Sequence, residues 1–241
     1  MSARLIIDWR DLMRGSDESL TTALALVPPM TGRPTMVVLR CCYASADEGA
    51  ATAALAPFRR LAPVAADEIR VVPYAGVLEE ARMAPGMQAE MRNAFFRSLD
   101  DDRAGAIAGL FRDGAAVELR SLGGAFGRVP ADATAFAHRD AEVLLVAATM
   151  LPAGTPPEMA DKAFAAWPAV AAQASGAYTG FLGPTTDAGV AAAYPAATYR
   201  RLAGVKQRYD PGNAFRRNHN IRSTGADVAS AGSSAVLSAG G

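Results

Sequence analysis

Cysteine is nearly absent from this chain: only Cys41 and Cys42 occur, and they are neighbours. Adjacent residues on a strand point to opposite faces, so the two are poorly placed to bridge each other. No disulfide framework and no zinc-ligand spacing is present, and free thiols in a reducing compartment are the expected state. Histidine is as scarce, at positions 138 and 219 only, and aromatic residues are few. The formal net charge is zero, which removes the electrostatic footprint of a nucleic-acid partner. No apolar run approaches the roughly 20 residues of a membrane span. The N-terminus carries Arg4, Asp8, Arg10 and Asp11 in place of an apolar signal core. A soluble, cytoplasmic protein with neither a membrane nor a nucleic-acid partner is expected.

What is present is enough material for one large domain or two small ones: 241 residues, half of them hydrophobic, many of those alanine. Ser2 to Arg14 reads as a helix with Leu5, Ile6, Trp9, Leu12 and Met13 along one stripe. Leu20 to Val27 and Thr35 to Tyr43 read as strands around a turn-rich segment, Pro28 to Pro34. Asp47 to Leu61 is alanine-rich and helical, and Ile69 to Tyr74 reads as a short strand. Val77 to Met91 is ambiguous and divided by Pro85 and Gly86. Asp100 to Arg112 is a helix opened by three aspartates, and Val117 to Leu122 alternates as a half-buried strand. Glu142 to Met150 is more continuously apolar, as a central strand would be. Glu158 to Ala172 reads as a helix bent at Pro168.

The strand pairs are linked too tightly for an all-parallel sheet. The fold class is therefore α+β: a mainly antiparallel sheet covered by helices on one face, with a C-terminal helix, turn and extended segment. The expected organisation is an α+β domain over 1–175, a C-terminal segment over 176–222 and a disordered tail over 223–241, where the composition turns to Ser, Gly and Ala.

The C-terminal segment carries the most information. Leu202, Val205 and Tyr209 recur at helical spacing, with Arg200, Arg201, Lys206 and Arg208 between them. Asp210 and Pro211 end the helix, and Gly212 and Asn213 tolerate the turn that follows. The basic group is a solvated helix face on the ordinary reading, with a phosphate site as the alternative. The order Tyr199, Arg201, Leu202, Lys206, Tyr209, Asp210, Pro211, Asn213, Phe215, Arg216, Asn218, Asn220 and Ile221 resembles the terminal signature of berberine-bridge-enzyme-like, FAD-linked oxidases. Further matches run upstream. Cys42-Tyr43 resembles the family's Cys-Tyr-x-Gly strand end without the glycine, and Val72-Pro73-Tyr74 resembles its Met-Pro-Tyr. Leu122 to Ala125, followed by Asp132 to Arg139, resembles the middle signature with its His-Arg pair. Gly176 to Phe181 resembles Ala-Tyr-x-Asn-Phe.

The resemblance implies the substrate-binding part of an FAD-dependent oxidoreductase that oxidises an alcohol, a sugar or a secondary-metabolite group. It implies FAD as cofactor, yet no counterpart of the family's glycine-rich flavin module is found, so the chain reads as truncated relative to that pattern. By resemblance Tyr178 is the catalytic residue, a base over the flavin ring. Gly180 takes the cofactor-binding position at which the family carries asparagine. Val117 stands where the family often places a second base, six residues before the paired glycines, and Glu118 beside it faces the opposite side. Arg139 is the candidate substrate-binding residue, having a rigid fork of donors, or else it holds a loop to backbone carbonyls. His219, Asn218 and Asn220 read as partners for backbone groups, and Asp210 and Asn213 as builders of the turn. The implied partners are a small-molecule substrate and either a separate FAD-binding chain or a second copy joined through the C-terminal face. The alternative is a catalytically inactive binding or interaction module, or a truncated gene product.

Overall fold

A computed structural model describes residues 3–29, 34–77, 84–183 and 186–223. Helix α1 (Ala3–Arg14) turns Ile6 and Trp9 fully inward, as its stripe predicts. Arg10 is buried with them, paired to Asp11 and, at 2.7 Å, to Asp101. Strands β1 (Leu20–Val27) and β2 (Met36–Tyr43) form a hairpin-like antiparallel pair, and residues 30–33 of the expected turn lie outside the described residues.

Helix α2 (Glu48–Leu55) is capped by Asp47, whose carboxylate accepts from the Ala50 N–H at 2.9 Å. It does not reach Leu61. Pro57 cannot donate a helical hydrogen bond, so the chain tightens into a 3-10 turn at Phe58–Arg60. The strand expected at Ile69–Tyr74 does not form either. That stretch runs irregularly into a 3-10 turn at Tyr74–Val77, with Val71 78% and Tyr74 82% exposed. Among the described residues it pairs with no strand, and Pro73 has no donor to offer one.

Strand β3 (Met87–Phe96) emerges from the ambiguous segment, of which residues 78–83 are not described. Helix α3 (Asp101–Asp113) begins at an Asp100 cap and ends at Gly114, whose φ of 105° suits glycine at that stop. Strand β4 (Ala116–Ser121), the short helix α4 (Ala125–Arg128) and strand β5 (Val143–Pro152) follow. The helix expected over 158–172 is two pieces, a 3-10 stretch at Pro157–Phe164 and helix α5 (Trp167–Ala171). Pro168 therefore helps to start a helix rather than bend one, because an N-terminal position needs no intrahelical donor. The chain closes with α6 (Asp187–Ala193) and α7 (Ala196–Tyr209). The tail expected to be disordered lies outside the described residues from position 224 onward.

Among the described residues the five strands form one antiparallel sheet in the order β2-β1-β4-β5-β3. This is the α+β fold expected. One face carries Leu24, Leu26, Val117, Leu119, Val143, Leu145 and Phe96 into the main core, covered by α1, α3 and α5. The interior strand β5, paired on both sides, is apolar on both faces because its other residues, Leu144 and Val146, join Phe95 in a second cluster on the opposite face. That opposite face carries the candidate site.

Candidate functional site

The pleat sorts the strands into rows across the opposite face. Arg40, Ala23, Arg120, Leu144 and Phe95 lie in one register row, and Val38, Ala25, Glu118, Val146 and Asn93 in the next. Glu118 is held by Arg40 at 3.1 Å and by Arg120. Arg120 in turn lies over the Phe181 ring, 4.9 Å from its centroid. Val117 points the other way and is buried in the helix-covered core. The position matched to a second base thus faces away from the site, and Glu118 faces the side on which Phe181 packs.

Beyond β3 the incoming segment pairs with the strand's outer edge. Phe95 donates its N–H to Gly176 O at 2.8 Å, and Ser175 donates to Phe95 O at 2.8 Å. Two residues on, the Asn93 side chain continues this pairing. Its Oδ1 accepts from the Tyr178 N–H at 2.6 Å, and its Nδ2 donates to Tyr178 O at 3.1 Å. Asn93 is almost wholly buried, while its partner Tyr178 is partly exposed. No motif drew attention to it. The available signal was a lone amide entering the apolar run Ala94-Phe95-Phe96.

Tyr178 is 38% exposed and stands at the edge of an aromatic group. Its ring lies 5.5 Å from Phe181 and 6.2 Å from Phe136, both edge-on. Phe136 also meets Phe95, Phe126 and His138. His138 stacks on Phe95 at 5.0 Å and shares a 3.1 Å hydrogen bond between Nε2 and Ala193 O. Burial pushes the His138 imidazole below its ordinary range. Gly176 lies against it, and a Cβ there would stand only 2.0 Å from His138 Cε1.

Arg139 packs its guanidinium over Phe136 at 5.0 Å and Phe126 at 5.3 Å, and donates to Thr134 Oγ1 at 3.1 Å. Tyr178 and Arg139 therefore flank the same Phe136 ring. The backbone carbonyls of this loop, at Asp132 and Thr134, are held by Arg201 of α7. Gly180 sits in a 3-10 turn at Thr179–Phe181 and offers no side-chain hydrogen bond. It lines a cleft of about 690 Å³ together with Thr179, Tyr194, Arg217, Asn218 and His219. His219 Nε2 lies 3.2 Å from Thr179 O, while its Nδ1 and Asn220 Oδ1 are buried without a partner.

The terminal turn is built by Asp210. Its carboxylate accepts from the N–H groups of Ala214 at 2.7 Å and Phe215 at 3.1 Å, and pairs with Lys206. The Lys206 hydrogen bond, followed by the backbone bonds, holds the Asp210 carboxyl below the usual carboxylate range. Asn213 takes a φ of 52°, the left-handed conformation asparagine tolerates. The apolar stripe of α7 is placed differently from its spacing. Thr198 and Ala203 are buried, Leu202 is half-buried, and Val205 and Tyr209 stand exposed.

Among the described residues, the site is thus a five-stranded antiparallel sheet with helices over one face and Tyr178 held by Asn93 at the edge of the other. Residues 178–222 match the family model described as Berberine and berberine like. The chain is similar in structure to 6-hydroxy-D-nicotine oxidase from Arthrobacter nicotinovorans, with a TM-score of 0.75 and 23% identity over 91% of this chain and 51% of that one. It is similar to BBE-like #28 from Arabidopsis thaliana, with a TM-score of 0.67 and 15% identity over 92% and 54% of the two chains. It is also similar to aclacinomycin oxidoreductase, with a TM-score of 0.68 and 19% identity over 92% and 52%. No curated protein matches the chain in sequence. The resemblance to berberine-bridge-enzyme-like, FAD-linked oxidases thus holds for the fold and the terminal signature. The chain spans about half the length of the solved structures it matches.

Proposed function

We propose that this chain is the substrate-binding half of an FAD-dependent oxidoreductase acting on an alcohol, a sugar or a related secondary-metabolite group. The observation that carries the reading is Tyr178. It opens the family-matched segment, and its ring stands half-exposed beside the polar and aromatic face of the sheet.

The residues present fit the edge of a flavin ring better than they fit a diphosphate. Thr179, Arg217, Asn218 and His219 give the cleft a polar wall, and His219 Nδ1 and Asn220 Oδ1 have unmet hydrogen-bonding capacity. The Gly123-Gly124 turn does not fit a phosphate, because a Cβ at Gly124 would stand 3.5 Å from the Glu18 carboxylate. When bound, FAD supplies the hydride acceptor. Tyr178 takes up or passes on the proton that leaves the substrate hydroxyl. Phe136 and Phe181 wall the substrate in, and Arg139, beside Phe136, orients a polar substituent.

The partner is a flavin-binding half, carried on another chain or another segment. It covers the face where Val205, Tyr209 and Phe215 stand exposed, Phe215 at 85%. A second reading, an inactive binding module, is favoured by the missing side chain at Gly180 and by Val117 facing the core.

The test is to combine the purified chain with FAD and a flavin-binding domain of the berberine-bridge type, then follow flavin absorbance and substrate-dependent oxygen uptake. Bound flavin and turnover support the enzyme reading, and a colourless, inactive mixture sinks it. In an active complex Tyr178→Phe lowers kcat by about 100-fold or more. Unchanged turnover removes Tyr178 from the proton path.

A further inference from the structure

Tyr178 is constrained from two sides. Its main chain is gripped through both polar groups by the buried Asn93 amide, at 2.6 and 3.1 Å. An amide that pairs with a backbone N–H and C=O at once imitates a strand partner, which fixes the position and tilt of residue 178 relative to β3. The ring is constrained by what residue 180 lacks. A Cβ at Gly180 would lie 2.7 Å from Tyr178 Cε1 and 3.2 Å from Cζ. The ring therefore occupies the space that any side chain at 180 would claim. Gly180 has no left-handed φ that would itself call for glycine. Among the described residues, the room for the ring is the local reason for glycine at this position.

We propose that Asn93 and Gly180 are the positioning residues of Tyr178. Asn93 sets its main chain, and Gly180 leaves open the site in which its ring rests against Phe181. The inference rests on the reading of Tyr178 as the group facing the substrate. It adds that the asparagine found at residue 180 in the family pattern is incompatible with this ring placement. In this chain the glycine is part of how the tyrosine is held.

The test uses the whole chain labelled with 3-fluorotyrosine and observed by fluorine NMR, with the Tyr178 resonance assigned by its loss in Tyr178→Phe. Gly180→Ala keeps an ordinary backbone, so only the ring has to move. Its Tyr178 resonance is expected to shift by more than the linewidth while the other tyrosines stay in place. Asn93→Ala is expected to shift or broaden the same resonance selectively. An unmoved Tyr178 resonance in Gly180→Ala overturns the proposal even where Asn93→Ala fails to fold.

In an active flavin complex, Asn93→Ala is expected to lower kcat with KM within a few-fold. Adding Tyr178→Phe to it should then cost far less than Tyr178→Phe alone, since both remove one function. Additive losses overturn the positioning role of Asn93. Because the NMR arm needs no flavin, failure of the enzyme reading leaves it decisive for the ring placement.

Discussion

At the scale of single residues, burial separates groups that the sequence sets side by side. Cys41 is half-buried under the hairpin, and burial pushes its thiol up to about 11. Cys42 faces the other way and is exposed. At neutral pH a thiol reagent such as DTNB is expected to label Cys42 rapidly and Cys41 only after unfolding. Equal labelling rates in the folded protein would contradict this placement. Gly176 makes a sharper case, since the His138 ring fills the space its side chain would need. Gly176→Ala is expected to destabilise the chain by about 1–3 kcal/mol, read from urea melts. Tyr178 and Arg139 stand in motifs, and both lie against the same Phe136 ring. Asn93 was not legible in the sequence, because its role depends on a segment 85 residues away docking on its strand edge. Val117, an apolar residue at the position where the resemblance places a second base, is buried in the helix-covered core, and Glu118 beside it faces the other side.

At the scale of elements, strong local signals survived and weak ones yielded to their surroundings. Helix α3 formed where its aspartates placed it, because the Asp100 carboxylate satisfies the Arg103 N–H at 2.9 Å and Gly114 closes the other end. Helix α6 escaped the sequence reading, since an Ala-Gly-rich stretch has no stripe to show. Its Thr186 cap, accepting from the Gly189 N–H at 3.0 Å, was the available sign. Thr186→Ala is expected to cost about 1 kcal/mol, measured by thermal melting with Thr186→Ser as the conservative control. Strand β3 was hidden for a different reason. Met87 to Ala94 contains no β-branched residue, and its pairing with β5 over the full length overrides that propensity. The segment at Ile69–Tyr74 has the opposite history, β-branched in composition but left without a partner. The α7 clasp reads directly from sequence, because Asp210 needs only neighbours within five residues. Asp210→Asn removes the charge that Lys206 pairs with. It is expected to leave α7 helical by circular dichroism while speeding amide exchange at Ala214 and Phe215. Unchanged exchange there would show that the turn does not depend on the pair.

At the scale of the whole molecule, two titrating groups tie separate parts of the chain together and set how the fold responds to acid. His138 links the loop after α4 to Gly176, β3 and the end of α6. Burial lowers its folded pKa below that of the unfolded chain, about 6.5. Nearby Asp140 works against the shift and Arg97 with it. The unfolded state therefore binds the proton first, and stability falls as the pH drops below about 6.5. Glu142 links α1 to the start of α3, accepting from Arg14 and from the Leu99 N–H at 2.6 Å. Burial acts to raise its carboxyl, but the Arg14 and Leu99 hydrogen bonds outweigh burial and hold it below the usual range. Its contribution is present at neutral pH and is lost further into acid, as the pH falls through that lowered value. Two stages of destabilisation are thus expected, histidine first and carboxylate second. His138→Gln keeps a donor for Ala193 O but removes the titration. Its melting temperature should lie below that of the parent at pH 7, and the gap should narrow by pH 5 because only the parent pays for protonation. A gap that stays constant from pH 7 to pH 5 would mean that His138 is not the group sensing the first stage. The C-terminal segment would then be held independently of the imidazole's charge.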